Sequence, residues 1–173
     1  MDAPYAKLEQ LEPGIARVLA HNPSAFTYYG TQTYVVGDRE VAVIDPGPDL
    51  PEHLDALSDA VGARPVVAIM CTHTHRDHSP AARPLAERTG ALIIGCAPLA
   101  LETVGPRADA AFDGDYAPDR AMQDGEQLEV KNQNSSKGDY KFSLNFIDAD
   151  GNPNELYPFD PIWTNQNGGG GSR

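Results

Sequence analysis

Pro65-Val66-Val67-Ala68-Ile69-Met70-Cys71-Thr72-His73-Thr74-His75-Arg76-Asp77-His78-Ser79-Pro80 is the stretch on which the reading of this chain turns. Residues 65–71 are apolar and partly β-branched, the composition of a strand buried on both faces. Ser79-Pro80 reads as a helix start, with serine as N-cap and proline at the first helical position. Between strand and helix lie three of the chain's five histidines and one aspartate. Neutral imidazole nitrogens and carboxylate oxygens are zinc ligands. A loop at the end of a strand is where α/β sheets keep their ligand sites. Side chains alternate along extended backbone, so His73 and His75 point the same way and are expected to share one ion. Asp77 and His78 fall where the chain turns into the helix and are expected to face a second. The candidate metal ligands are therefore His73, His75, Asp77 and His78, and Asp77 is also the candidate catalytic residue.

The flanking sequence alternates strand and helix. Residues 15–20 read as a strand after Pro13-Gly14, and residues 31–36 and 40–44 as a hairpin turned at Gly37-Asp38-Arg39. Residues 51–61 carry Leu54, Leu57 and Val61 at helical spacing, with His53 off that stripe and expected in solvent; Gly62 ends the helix. The helix that begins at Ser79 is expected to run over 79–88 and stop at Gly90, followed by a buried strand over 91–96. Leu99, Leu101 and Val104 suggest a short helix, residues 107–119 an acidic loop, and residues 127–130 a strand. The alternation argues for an α/β sheet with helical cover. His21 sits in a turn and is expected to be exposed. Phe26, Tyr28 and Tyr29 lie in an aromatic loop that either lines a site or packs on the sheet.

His73-x-His75-x-Asp77-His78 after an apolar strand resembles the signature of the metallo-β-lactamase superfamily. Thr33-Tyr34-Val35-Val36-Gly37 and Val41-Ala42-Val43-Ile44-Asp45-Pro46-Gly47 resemble that family's early strands and its Asp-x-Gly turn. Asp115-Tyr116-Ala117-Pro118-Asp119-Arg120 with Asp124-Gly125-Glu126 is similar to a segment of its hydroxyacylglutathione-hydrolase-like branches. The resemblance covers residues 11–130. It implies the N-terminal half of an αββα sandwich, a mixed β-sheet with helices on one face, here followed by a β-hairpin-like tail. It also implies a zinc-dependent hydrolase, with iron or manganese as alternatives, in which a metal-bound hydroxide attacks a thioester, lactone, β-lactam or phosphodiester. By the same resemblance Asp45 helps to hold the metal loop, although Asp45-Pro46-Gly47 also reads as a plain turn, and the aromatic loop borders the mouth of the site.

Composition changes abruptly near residue 130. Residues 1–130 contain 21 alanines, one lysine and one asparagine, whereas residues 131–173 contain one alanine, three lysines and seven asparagines. The tail is therefore read as a foreign or atypical β-rich segment over 131–166, followed by a Gly-rich linker or scar over 167–173. Within it Tyr140, Phe142, Leu144 and Phe146 alternate with polar residues as in a half-buried strand. Asp148-Ala149-Asp150-Gly151-Asn152-Pro153-Asn154 reads as a turn, residues 155–159 as a returning strand, and Trp163 as a possible anchor. No histidine follows His78. The ligands that the family draws from its second half are thus not matched, which leaves an incomplete site with two donors per ion. Two functions stay open: a hydrolase by ancestry, truncated, and a non-catalytic chimeric scaffold with weak or no metal binding.

A net charge of −12 argues against a nucleic-acid footprint, which needs a basic face. Cys71 and Cys96 fall in apolar strands without a C-x-x-C pair and are expected to be buried, reduced core residues. No leader-like stretch and no membrane-spanning run is read, so a cytoplasmic setting is expected. The expected partners are a small-molecule substrate and, through the apolar sheet face of a half sandwich, a second copy unless the tail covers that face.

Overall fold

The computed structural model describes residues 3–98, 112–131 and 139–143. Five strands form the main sheet in chain order: β1 (Leu8–Glu12), β2 (Ile15–Leu19), β3 (Gln32–Val36), β4 (Val41–Ile44) and β5 (Val66–Met70). The first four pair antiparallel, and β4 pairs with β5 parallel, so the sheet is mixed. The parallel pair needs a crossover, which α1 (Pro51–Val61) supplies. After β5 come α2 (Ala82–Thr89) and the short parallel pair β6 (Ile94–Gly95) and β7 (Arg120–Ala121). β8 (Gln127–Val130) and β9 (Tyr140–Ser143) close an antiparallel hairpin. Among the described residues no helix is long and apolar enough to cross a membrane.

The register sorts the sheet's two faces. Ala16 and Val18 of β2 pair with Val35 and Thr33 of β3, and all four are buried beneath the helices, with α1 packed on β2 and α2 on β5. Val43 and Ile69 continue this row without exposed surface. Each such side chain, taken from water to the core, contributes about 2 kcal/mol. β4 is buried on both faces, which is why it reads as an unbroken apolar run rather than an alternation. On the opposite face Ile15, Arg17 and Leu19 are only half-buried.

The hairpin of the tail docks at the turn end of this sheet. Tyr140 Oη donates to Pro13 O at 2.9 Å, Lys131 N donates to a Glu40 carboxylate oxygen at 3.0 Å, and fully buried Val130 lies against Gly37. β9 starts where the alternating pattern of the tail starts, and it pairs with Gln127–Val130. The expected turn and return strand, together with Leu144, Phe146, Trp163 and the Gly-rich end, lie outside the described residues, as do Leu99, Leu101 and Val104.

Several expectations need correction. β1 carries no buried residue and hence no apolar pattern; it is a strand because β2 pairs with it. The helix expected over 79–88 starts at Ala82, because the amides a Ser79 cap would serve are already engaged: Ala81 N donates to Gly47 O and Ala82 N to the Ser79 carbonyl, both at 2.9 Å. The strand expected over 91–96 shrinks to Ile94–Gly95 plus a bridge from Ile93 to Ile69. His53 is not in solvent but fully buried, in line with Leu57, Ala60 and Val61 on the inner side of α1. Cys71 and Cys96 are free and buried as expected, and burial pushes the Cys96 thiol up to about 12.

Candidate metal centre

β4 and β5 run parallel, so their C-terminal ends lie side by side, and each delivers one half of the site. The end of β5 passes into Thr72–His78. The end of β4 passes into Asp45-Pro46-Gly47, with Asp45 N donating to Met70 O at 2.8 Å. Asp45 adopts φ +49°, a left-handed conformation that aspartate tolerates better than most residues. This bend turns its carboxylate under the loop. Asp45 Oδ1 accepts from Thr72 N and Oδ2 from Thr72 Oγ1, both at 2.8 Å. His78 Nδ1 lies 3.1 Å from Asp45 Oδ2 without hydrogen-bond alignment, so that contact is one of charge.

Gly47 grips the far side of the loop. Its N–H donates to His78 O at 2.9 Å, and its carbonyl accepts from Ala81 N at 2.9 Å. At φ +85° a Cβ on Gly47 would stand 3.0 Å from His53 Nε2. Gly47→Ala is expected to cost about 1 kcal/mol of stability, read as a lowered urea midpoint.

The histidine-aspartate cluster sits on this platform. The rings of His73 and His75 have centroids 4.6 Å apart, and those of His73 and His78 are 4.1 Å apart. Asp77 Oδ2 lies 3.4 Å from His78 Nε2 and accepts from Thr31 Oγ1 at 3.3 Å. The Thr72 hydroxyl has one hydrogen, given to Asp45, so at 2.9 Å from His73 Nδ1 it accepts from that nitrogen. His73 Nε2 therefore keeps its lone pair, the state a metal ligand needs.

Electrostatics separate the imidazoles. Burial, then the neighbouring charge of His78, pushes His73 down to about 4. Burial also acts against a charged His78, but the Asp45 and Asp77 carboxylates outweigh it and raise His78 to about 9. Asp77, hydrogen-bonded by His78, falls to about 2 and stays ionised.

A second segment, which sequence reasoning missed, clips the loop from outside. Phe112 bridges His75, with the two rings 4.5 Å apart; Arg76 Nε donates to Phe112 O at 2.9 Å; and Asp113 N donates to Thr74 O at 2.7 Å. Nothing local marks Phe112-Asp113 for this role, because its partners on the loop lie more than thirty positions away. Phe26, Tyr28 and Tyr29 are 95%, 82% and 70% exposed, so their loop does not pack on the sheet. That loop is tied to the site through Asn22, which bonds Thr31 twice, and through Thr31 to Asp77. His21 is exposed, with its ring against Tyr5.

The donors fit a divalent ion in kind, three imidazoles and one carboxylate on a single loop. They do not fit in number, because among the described residues no three His, Cys, Asp or Glu side chains are gathered to hold one ion.

A family profile described as the metallo-beta-lactamase superfamily matches residues 27–167, past the change in composition near residue 130. An atrochrysone carboxyl ACP thioesterase of Aspergillus chevalieri is 39% identical over 79 residues, 44% of this chain and 26% of that protein. A lactamase-like protein of Pestalotiopsis fici is 37% identical over 79 residues, 44% of this chain and 25% of that protein. The matched stretch thus spans about a quarter of these curated relatives. A metallo-beta-lactamase structure from Cronobacter sakazakii aligns with TM-score 0.60 and 19% identity, over 82% of this chain and 54% of that one. A subclass B3 metallo-beta-lactamase of Bradyrhizobium japonicum gives TM-score 0.57 and 20% identity over 87% of this chain and 55% of its own. These structures share the fold.

Proposed function

This chain belongs to the metallo-beta-lactamase superfamily, and from that membership we propose that it is a metal-dependent hydrolase, of thioesters ahead of lactones, β-lactams and phosphodiesters. One observation carries the reading: four metal-type donors share a loop whose backbone is held from beneath by Asp45 and Gly47. The preference for a thioester draws on relatives named as acyl-carrier-protein thioesterases. Nitrogen and oxygen donors suit zinc, and iron or manganese after it. His73 and His75 would hold one ion; Asp77 and His78 would hold a second. When bound, such an ion supplies a water of lowered pKa and polarises the scissile carbonyl.

The chain's own residues prepare the site. His73 presents Nε2 because Thr72 fixes its tautomer. His78 gives up its proton before either ring nitrogen can coordinate, so metal uptake releases a proton there. Asp77, ionised far below neutrality, holds and orients and does not donate a proton. The exposed aromatic loop, tethered to Asp77 through Asn22 and Thr31, would cover a bound acyl group.

A second reading, a scaffold that binds metal weakly and turns nothing over, draws on the absence of a third donor per ion among the described residues. Elemental analysis of the purified chain, followed by assays with an acyl thioester and a chromogenic β-lactam, separates the two. About two equivalents of metal with thioester turnover supports the hydrolase. Protein without metal that leaves both substrates intact supports the scaffold.

A further inference from the structure

We propose that His53 is a positioning residue of the metal loop: from inside α1 it fixes the Asp45-Pro46-Gly47 turn in the shape that lets Asp45 and Gly47 grip residues 72–81. Its ring is fully buried in a helix that otherwise buries only apolar side chains. Nε2 lies 3.1 Å from Pro46 O and 3.0 Å from Thr33 Oγ1. A carbonyl only accepts, so Nε2 carries the proton and donates to it. The Thr33 hydroxyl gives its one hydrogen to Asp45 O at 2.8 Å, so toward His53 it accepts. One N–H therefore serves both flanks of the turn, at Pro46 directly and at Asp45 through Thr33. Nδ1 is left buried with no partner among the described residues, and burial holds the ring neutral.

An unpartnered buried nitrogen is costly, and leucine would fill this place on α1 with none. The position is explained by what Nε2 does for the turn. Asp45 sits at φ +49° and Gly47 at φ +85°, both beyond the last residue of β4. Gly47 also leaves room for the ring, since a Cβ there would press on Nε2. His53 touches none of the proposed ligands and acts on them through Asp45 and Gly47. Its consequence for metal rests on the function proposed above; its action on the turn does not.

The test compares His53→Leu, which removes the donor, with His53→Gln, which keeps an N–H at a similar reach. Amide hydrogen exchange is followed by NMR in metal-free protein, and zinc affinity by competition with a chromogenic chelator. In His53→Leu the Thr72 and Gly47 amides are expected to exchange at least about tenfold faster relative to the Val18 and Val35 amides, and zinc to bind about 10- to 100-fold more weakly. His53→Gln is expected to return both toward wild type. Unchanged Thr72 and Gly47 exchange in the leucine variant, or equal effects of leucine and glutamine, overturns the proposal. If the leucine variant does not fold, His53→Phe, which keeps a ring but removes the donor to Pro46 O, is read the same way: selective loosening of Thr72 and Gly47 supports the proposal, and wild-type exchange overturns it. Wild-type protein that takes up no zinc defeats the hydrolase reading alone, because the exchange pattern still decides what His53 does.

Discussion

Asp45→Ala is expected to destabilise the metal-free protein by about 3 kcal/mol and to weaken zinc binding by about 10- to 100-fold. Three contacts go at once: those to Thr72 N, to Thr72 Oγ1 and to His78. Thr72 is only 3% exposed, so its amide is left without water to replace the lost acceptor. His78 loses one of the two carboxylates that keep it protonated. Alanine at φ +49° adds a backbone cost that aspartate largely avoids. Asp45→Asn separates these terms, because asparagine also tolerates the left-handed region and keeps one acceptor for Thr72. It is expected to lose about 1 to 2 kcal/mol, mainly through the His78 contact and the Thr72 hydroxyl. Urea midpoints and chelator competition measure both quantities. Wild-type values for the alanine variant would reduce Asp45 to an ordinary turn residue and leave the loop's shape to other contacts.

The features that could be read from sequence were those encoded locally. The apolar run of β5, the turn between β3 and β4, and the apolar spacing of α1 each appear within a window of about ten residues, and each forms the expected element. The donor loop was visible because its residue types are rare together and sit between a strand and a helix. The features that were not visible depend on partners far along the chain. β1 has five exposed residues and takes its conformation from β2. Ser79 looks like a cap, but the Ala81 amide it would serve donates to Gly47 O, thirty-four positions earlier, and the helix starts at Ala82. His53 looks polar and therefore exposed, because a helical stripe counts apolar residues and cannot register Thr33 waiting twenty positions earlier. The site shows the same division: its donors are local in sequence, Asp45 and Gly47 were legible only through the family resemblance, and Phe112 and Asp113, which clip the loop from outside, were not legible.

The stability of metal-free protein, kept so with a chelator, is expected to fall by on the order of 2 kcal/mol between about pH 6.5 and about pH 8.5, and His78→Gln is expected to flatten that slope. The sign follows from His78 being raised to about 9 in the folded state. A raised group contributes fully below its unfolded value, near 6.5 for histidine, and its contribution is lost as pH rises through the folded value. His73 has the opposite sign: at about 4 when folded, it contributes above the unfolded value and is lost as pH falls through 4. Asp77, lowered to about 2, likewise matters only as pH falls through 2. Its contact with His78 is the same interaction seen from the other partner and is counted once. The buried thiols of Cys71 and Cys96, both raised, add a loss of their own as unfolded cysteines ionise, at about pH 8.5. Inside the window between about 6.5 and about 8.5 His78 therefore sets most of the slope, with His73 and buried His53 opposing it only near the lower edge and the thiols adding to it only near the upper. Urea midpoints across it give the slope, and zinc is expected to compete with the same proton, so affinity rises as stability of the empty protein falls. A wild-type slope that His78→Gln leaves in place would remove the proton from His78, and with it the charge contact that joins the donor loop to Asp45.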